Sequence, residues 1–414
     1  MSEWKEVKLK TLCQGIYDGP HATPKRLDEG PIFLGISSLN RGSIDLSKSD
    51  HLSEQDFKKW TKRVTPQEND LVFSYETRLG EAALIPAGLR CCLGRRMALM
   101  RPDTSKVNPQ FLLYTYLSPG FQATIQSRTV HGSTVNRIPL TELPDYPILV
   151  PSLETQSQIA ATLSNLDRKI ENLRKQNETL EQIAKTLFKH WFVDFEFPNA
   201  DGKPYKSSGG EMVPSELGDI PAGWRVGRLG DVVKVNAESI CKNYCHKEIE
   251  YVDIASVGVG VLEGTTSYSL KNAPSRARRL VKHGDVIWSG VRPNRKSYLF
   301  ITHPPENLIV STGFITLTPN FIPSSYLYSW VTTDSFVEYL TFNASGSAYP
   351  AVNAEHFEIA EVLLPDQLNL NRFHRLVNPM REKIYQNSRH IQTLTQTRDT
   401  LLPQLMSGKL RITS

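Results

Sequence analysis

The sequence predicts an α+β protein in which two tandem globular domains are separated by two long helices that pair as an antiparallel coiled coil. Three observations predict it: an internal repeat, two stripes of apolar residues at coiled-coil spacing, and β-rich blocks punctuated by Gly, Pro and Asn.

The repeat is legible in two stretches, GSTVNRIPLTELPDYPILVP closing on Pro151 and GSAYPAVNAEHFEIAEVLLP closing on Pro365, a shift of 365 − 151 = 214 positions. The shift holds without gaps from Pro109, Leu113 and Tyr114, answered by Pro323, Leu327 and Tyr328, to Lys169-Ile170, answered by Lys383-Ile384. Upstream it drifts by a few residues, as unequal loops would make it. Asn69-Asp70-Leu71-Val72-Phe73-Ser74 echoes Gly284-Asp285-Val286-Ile287-Trp288-Ser289, and Trp4-Lys5-Glu6-Val7 echoes Trp224-Arg225-Val226.

The elements follow in order. Residues 1–151 form a first compact domain of short strands, with one helix near 108–127. Residues 152–198 are a long helix opened by Pro151 and a Ser152 cap, and 199–223, rich in Gly, Pro and Ser, are a linker. Residues 224–365 repeat the domain, with its helix near 323–342; 366–414 repeat the long helix behind an Asp366 cap, and Pro403 is expected to end it early.

Ile159, Leu163, Leu166, Ile170, Leu173, Asn177, Leu180, Ala184 and Leu187 alternate steps of four and three. Phe373, Val377, Met380, Ile384, Asn387, Ile391, Leu394, Arg398, Leu401 and Leu405 do the same. Such a narrow stripe needs a partner helix. Packing of each helix on its own domain is the alternative, but pairing of the two repeats satisfies both stripes at once. In an antiparallel pair the polar seam residues Asn177 and Asn387 would face each other and fix the register.

Composition excludes several classes. A chain of 414 residues, 39 % hydrophobic and 22 % charged, with no long uncharged apolar run and a polar start, MSEWKEVKLK, predicts a cytoplasmic protein with no membrane segment. Five scattered cysteines do not make a disulfide framework. Cys241-x-x-x-Cys245-His246 is half a zinc site without a second half, so no metal is expected. A net charge of +5 suits nucleic acid without requiring it.

Two similar heads on a helical spacer of about 45 Å for about 30 residues could meet one DNA face at two places, a helical turn being roughly 34–36 Å. Heads that differ in sequence would read two different half-sites. The wording of the helices then carries a resemblance. Leu187-Phe188-Lys189-His190-Trp191-Phe192-Val193-Asp194-Phe195-Glu196, Glu216-Leu217-Gly218-Asp219-Ile220-Pro221-Ala222-Gly223-Trp224 and Leu401-Leu402-Pro403-Gln404-Leu405-Met406-Ser407-Gly408-Lys409-Leu410 resemble the conserved segments of type I restriction-modification specificity subunits.

The resemblance covers essentially the whole chain. It implies two target recognition domains on double-stranded DNA and a coiled coil that docks two modification (methyltransferase) subunits, with restriction (translocase and nuclease) subunits joining through them. S-adenosylmethionine for adenine N6 methylation, and ATP with Mg, would be bound by those partners, and this chain would carry no catalytic residue and no cofactor. The residues agree with that reading. His303-Pro304-Pro305-Glu306 lacks the flanks of an amino-methyltransferase motif, and no phosphate-binding Gly-x-x-x-x-Gly-Lys-Ser/Thr loop exists. Asp145, Asp167 and Lys169 have the residue types of a nuclease, but Asp167 falls on a helix face and is answered by Arg381. A non-catalytic adaptor whose domains bind protein is the alternative.

The loops after the echoed strands carry candidate base readers: Ser74, Tyr75, Glu76 and Arg78 in the first copy, Ser289, Arg292, Asn294, Arg295 and Lys296 in the second. Arg suits guanine, Asn adenine, and Glu cytosine N4. Ser133 and Thr134, answered by Ser347 and followed by Tyr349, form small-residue loops suited to phosphate. His21 and Thr23 lie in a segment that resembles the family's glycine-histidine loop, without an equivalent in the second copy. Arg276, Arg278 and Arg279, with Lys282, form the densest basic cluster and suit phosphate.

Overall fold

The structure is a computed structural model that describes residues 4–132, 135–241 and 243–412. The chain forms two compact units, one of residues 1–172 with 390–414, the other of residues 173–389. Each unit contains one globular domain and parts of both long helices, which span Leu153–Phe192 and Gln367–Met406.

In the first unit a four-stranded antiparallel sheet runs in the order Cys13–Asp18, Met97–Pro102, Leu71–Ser74, Ala82–Leu84. Leu71, Val72 and Phe73 are fully buried because both faces of this sheet are covered. The second unit builds the same sheet in the same order from Val233–Val235, Phe314–Pro319, Val286–Ser289 and Tyr298–Phe300. A second sheet in each unit mixes parallel and antiparallel pairs.

Each domain starts and finishes on one short ladder. Lys5–Lys8 pairs antiparallel with Pro147–Val150, and Arg225–Arg228 pairs antiparallel with Glu361–Leu364. The chain therefore enters the domain beside the strand by which it leaves for the long helix.

The helix expected near 108–127 is two helices, Pro109–Leu117 and Pro119–Ser127, and its counterpart is Ser324–Val331 and Asp334–Asn343. Ser118, extended and followed by Pro119, breaks the first; its hydroxyl caps the next helix by accepting from Phe121 N. Thr333 does the same for Phe336 N.

The long helices start on the expected caps, Ser152 Oγ accepting from Thr155 N at 3.3 Å and Asp366 Oδ1 from Asn369 N at 2.9 Å. Pro403 does not stop the second helix, which runs on to Met406. Leu405 and Met406 are buried in the first unit's core, and that packing outweighs one missing N–H near a helix end. Two residues past its end comes Gly408, whose φ of +70° and position against Trp4, 2.6 Å from a would-be Cβ, both favour glycine.

In the first unit Ile159, Ala160 and Leu163 pack with Leu405 and Met406 in the domain core. In the second, Phe188, Trp191 and Phe192 pack with Phe373. With Asn177 opposite Asn387 and Glu181 opposite Arg381, residue numbers rise on one helix as they fall on the other, so the pair is antiparallel. The residues expected as a linker are ordered: Tyr205 stacks on Phe197 and Phe197 on Trp224, centroids 4.6 and 4.7 Å apart, and Met212–Val213 pairs with Ile220–Pro221.

Candidate nucleic-acid interface

The echoed strands end in the same turn. Asn69 and Gly284 take left-handed backbone ahead of them, φ +68° and +88°. Buried Asp70 and Asp285 accept from the backbone N–H groups of Gln67 and Lys282, each at 2.9 Å. At the far end Ser74 donates to Glu76 O at 2.8 Å and Ser289 to Val291 O at 2.9 Å. Thr77 and Arg292 then turn left-handed, φ +69° and +52°.

Each turn is tied to the loop that returns toward the long helix. In the first domain Ile138 N donates to Tyr75 O at 2.8 Å, and Glu76 bridges Arg137. In the second, Val352 N donates to Gly290 O at 2.8 Å, Arg292 N to Pro350 O at 2.7 Å, and Val291 bridges Ala351. In the second copy the two singled-out loops are therefore one surface, and in the first the turn is joined to the segment at Arg137 and Ile138. Ser133 and Thr134 lie outside the described residues.

The structure sorts the candidate readers. Ser74, Tyr75 and Ser289 are at most 4 % exposed, so they shape the turn and do not reach a ligand. Burial and the neighbouring Glu76 push the Tyr75 hydroxyl up to about 12. Glu76 is held by Arg96 Nε at 3.2 Å, and Lys296 by Asp334 at 2.7 Å. Arg78 donates to Ile36 O and Glu81.

His21 and Thr23 are exposed, and the His21 ring lies 6.4 Å from that of Tyr75 and 3.3 Å from Asp18 Oδ2. In the second domain Asn294, Arg295, Ser347 and Tyr349 are exposed. The Arg292 guanidinium lies over the Tyr349 ring at 4.5 Å and donates to Ala348 O. Gly346, at φ +104°, lets this return loop fold close, since a Cβ there would lie 3.0 Å from Tyr349 O.

The basic strand Ala277–Leu280 adjoins this surface. Thr312 N donates to Arg276 O, and Gly290 N donates to Gly313 O one residue further on. Arg276 and Arg278 are exposed; Arg279 is half-buried, and burial lowers its pKa. Sequence reasoning missed Arg96, which braces the first turn through Glu76 and Thr77, and Phe342, 90 % exposed three residues before the Ser345–Ala351 bridge. Neither carries a pattern that would single it out.

Asp167 lies on a face of the first long helix, where it is engaged by two partners. It accepts from Tyr114 Oη at 2.6 Å and pairs with Arg398 at 2.8 Å. In the second unit Arg381, its counterpart, lies 4.2 Å over the ring of Tyr328 and pairs with Glu181. Tyr114 and Tyr328 are themselves counterparts, so both domains seat the same tyrosine on the helices through opposite charges.

Residues 1–182 match the family described as type I restriction modification DNA specificity domain. The type I restriction enzyme MjaIX specificity subunit of Methanocaldococcus jannaschii is 27 % identical over 98 % of this chain and 89 % of its own length. The HindI specificity subunit of Haemophilus influenzae is 24 % identical over 99 % of this chain and 100 % of its own. Residues 1–182 thus carry a type I restriction modification DNA specificity domain, and nearly the whole chain is similar to type I specificity subunits. The S subunit of a type I restriction-modification system from M. genitalium has the same fold, with a TM-score of 0.60 at 16 % identity, over 98 % of this chain and 96 % of that one.

The family match reaches the first domain and part of the first long helix, and the internal repeat relates the second domain to the first. Cys241 and Cys245 are exposed free thiols. Among the described residues the one cluster of three possible metal ligands lies elsewhere, at His283, His303 and Glu382. No helix among them is long and apolar enough to cross a membrane.

Proposed function

We propose that this chain chooses the DNA sequence for a type I restriction-modification complex, each domain taking one half of a split, asymmetric target. The observation that carries it is the shared turn and return loop of the two domains, dressed with different side chains. His21, Thr23 and Arg78 line one surface; Arg292, Asn294, Arg295, Ser347 and Tyr349 line the other. A common scaffold with different donors and acceptors is what two unlike half-sites require.

Arg276 and Arg278 hold phosphate beside the second surface, with the half-buried Arg279 next to them in sequence. The paired helices set the spacing and seat two modification subunits, through which restriction subunits join. Those partners bind S-adenosylmethionine for adenine N6 methylation, and ATP with Mg, while this chain supplies only the choice of site. Asn177 and Asn387 fix the register of the helices.

Co-expression with the methyltransferase encoded beside it, followed by mapping of N6-methyladenine in host DNA, tests the reading. One split asymmetric motif that vanishes when this chain is omitted is the expected result. A stable complex that leaves no new methylation would favour an adaptor instead.

A further inference from the structure

Three elements of the second unit converge on one point. His283 precedes the strand Val286–Ser289, His303 follows the strand Tyr298–Phe300, and Glu382 projects from the second long helix. The two imidazoles stack with centroids 4.5 Å apart and planes 22° apart. His303 Nε2 lies 3.0 Å from Glu382 Oε2, and His283 Nε2 lies 4.0 Å from Glu382 Oε1. One ligand atom from each residue falls within 4.8 Å of the others.

From this geometry we infer that His283, His303 and Glu382 form a binding site for a divalent transition-metal ion of the zinc, nickel or cobalt class. Bonds of about 2.0–2.1 Å at tetrahedral angles put adjacent ligand atoms about 3.3 Å apart; His303 Nε2 and Glu382 Oε2 already stand at 3.0 Å, and the set, within 4.8 Å, closes on an ion by side-chain rotation that also unstacks the two rings. Two imidazoles and one carboxylate favour such an ion over Mg or Ca, which prefer all-oxygen shells. With three protein ligands, water completes the coordination.

His303 adopts φ +43°, left-handed backbone that a residue of its kind enters at a cost, and its ring also meets that of Tyr385 at 5.4 Å. His303 N–H points at His283 Nδ1 across 3.3 Å, so the free site keeps the His283 proton on Nε2, facing Glu382. Metal loading moves that proton to Nδ1, gives up the long contact, and replaces a shared carboxylate with three bonds to one ion. The bound ion would tie the second domain to the long helix within this unit. Nothing in the assignment depends on DNA recognition.

The full chain, free of affinity tag and stripped with chelator, would be titrated with Zn(II) by calorimetry and with Co(II) by visible absorption. The expected result is one equivalent bound, a rise in Tm on loading, and at least tenfold weaker binding, about the scale of a disturbed metal shell, in His303→Ala and in Glu382→Gln. Cys241→Ser/Cys245→Ser should bind as tightly as the parent. Binding that survives His283→Ala/His303→Ala, or that disappears with the two cysteines, would overturn the assignment, as would no saturable binding below millimolar metal. Circular dichroism of each variant separates loss of the site from loss of the fold.

Discussion

Asn387 Nδ2 donates to Asn177 Oδ1 across 2.9 Å, and Asn387 is fully buried between the helices. Its own Oδ1 has no hydrogen-bond partner in the protein. The pair is therefore a costly choice inside an apolar seam, of the kind that fixes alignment at the expense of stability. Asn387→Leu alone should destabilise by about 1 kcal/mol in denaturant titration, because Asn177 Oδ1 loses its donor while Asn177 Nδ2 keeps Ser388 Oγ at 3.4 Å. Changing both to Leu should recover that loss and keep the helicity. It should also broaden the distance distribution between spin labels on the two helices; a single unchanged distance would sink the register role.

Arg381 is 6 % exposed and Glu181 25 %, both beside the buried ring of Tyr328. Arg381→Ala should cost about 3 kcal/mol, since it strands a half-buried carboxylate. Arg381→Met/Glu181→Met should restore most of it. Equal losses in the single and double variants would mean that packing, not charge, holds this contact.

The equivalent aspartates of the two domains should respond oppositely to neutralisation. Asp70 is gripped by Arg101 at 2.9 and 2.7 Å, whereas Asp285 has no such arginine and burial raises its pKa above 3.8. Asp70→Asn should lower stability by about 1–3 kcal/mol. A carboxyl whose folded pKa is raised stabilises fully below its unfolded value, and that contribution is lost as pH rises through the folded value. Asp285→Asn should therefore leave stability at neutral pH unchanged or higher and remove that pH-dependent loss, which a set of melts at stepped pH would reveal.

On DNA, Arg292 and Arg276 should behave differently. Arg292→Ala should cost about 1–3 kcal/mol and relax the choice of base at one position. Arg276→Ala should weaken all sequences alike and reduce the salt slope by about 1. Anisotropy titrations over a salt series, with methylation mapping of each variant, distinguish the two. A shifted motif in the Arg276 variant would contradict its phosphate role.

Gly408→Ala should destabilise the first unit by about 1–2 kcal/mol, because the new methyl meets both a left-handed backbone and the Trp4 ring. Tm reads this directly, and a silent substitution would mean that Trp4 moves aside without loss.

Much of this fold was legible in the sequence because repeated strands and heptads write themselves at fixed spacing. The turn before Leu71 and Val286, the caps Ser152 and Asp366, and the meeting of Asn177 with Asn387 all follow from local rules. What escaped depends on tertiary packing. Ser74, Tyr75 and Ser289 have the composition of readers but point inward, and Pro403 is carried through a helix by the burial of Leu405 and Met406. Glu76 and Lys296 looked available only because their partners, Arg96 and Asp334, lie 20 and 38 positions away. His283, His303 and Glu382 share no motif at all.

The ladder of Lys5–Lys8 on Pro147–Val150, and its twin of Arg225–Arg228 on Glu361–Leu364, gives each domain a common doorway. The segment between the two strands of a doorway can be exchanged without redirecting the chain on either side, provided that the residues seated on the helices, Tyr114 or Tyr328 among them, still meet their partners. Genetic crossovers falling in those strands would swap a whole vocabulary while leaving the grammar of the helices intact. If each domain takes one half of the target, as proposed, a lineage carrying such a chain would acquire a new DNA target by trading one domain, with no need to rebuild whatever binds the helices.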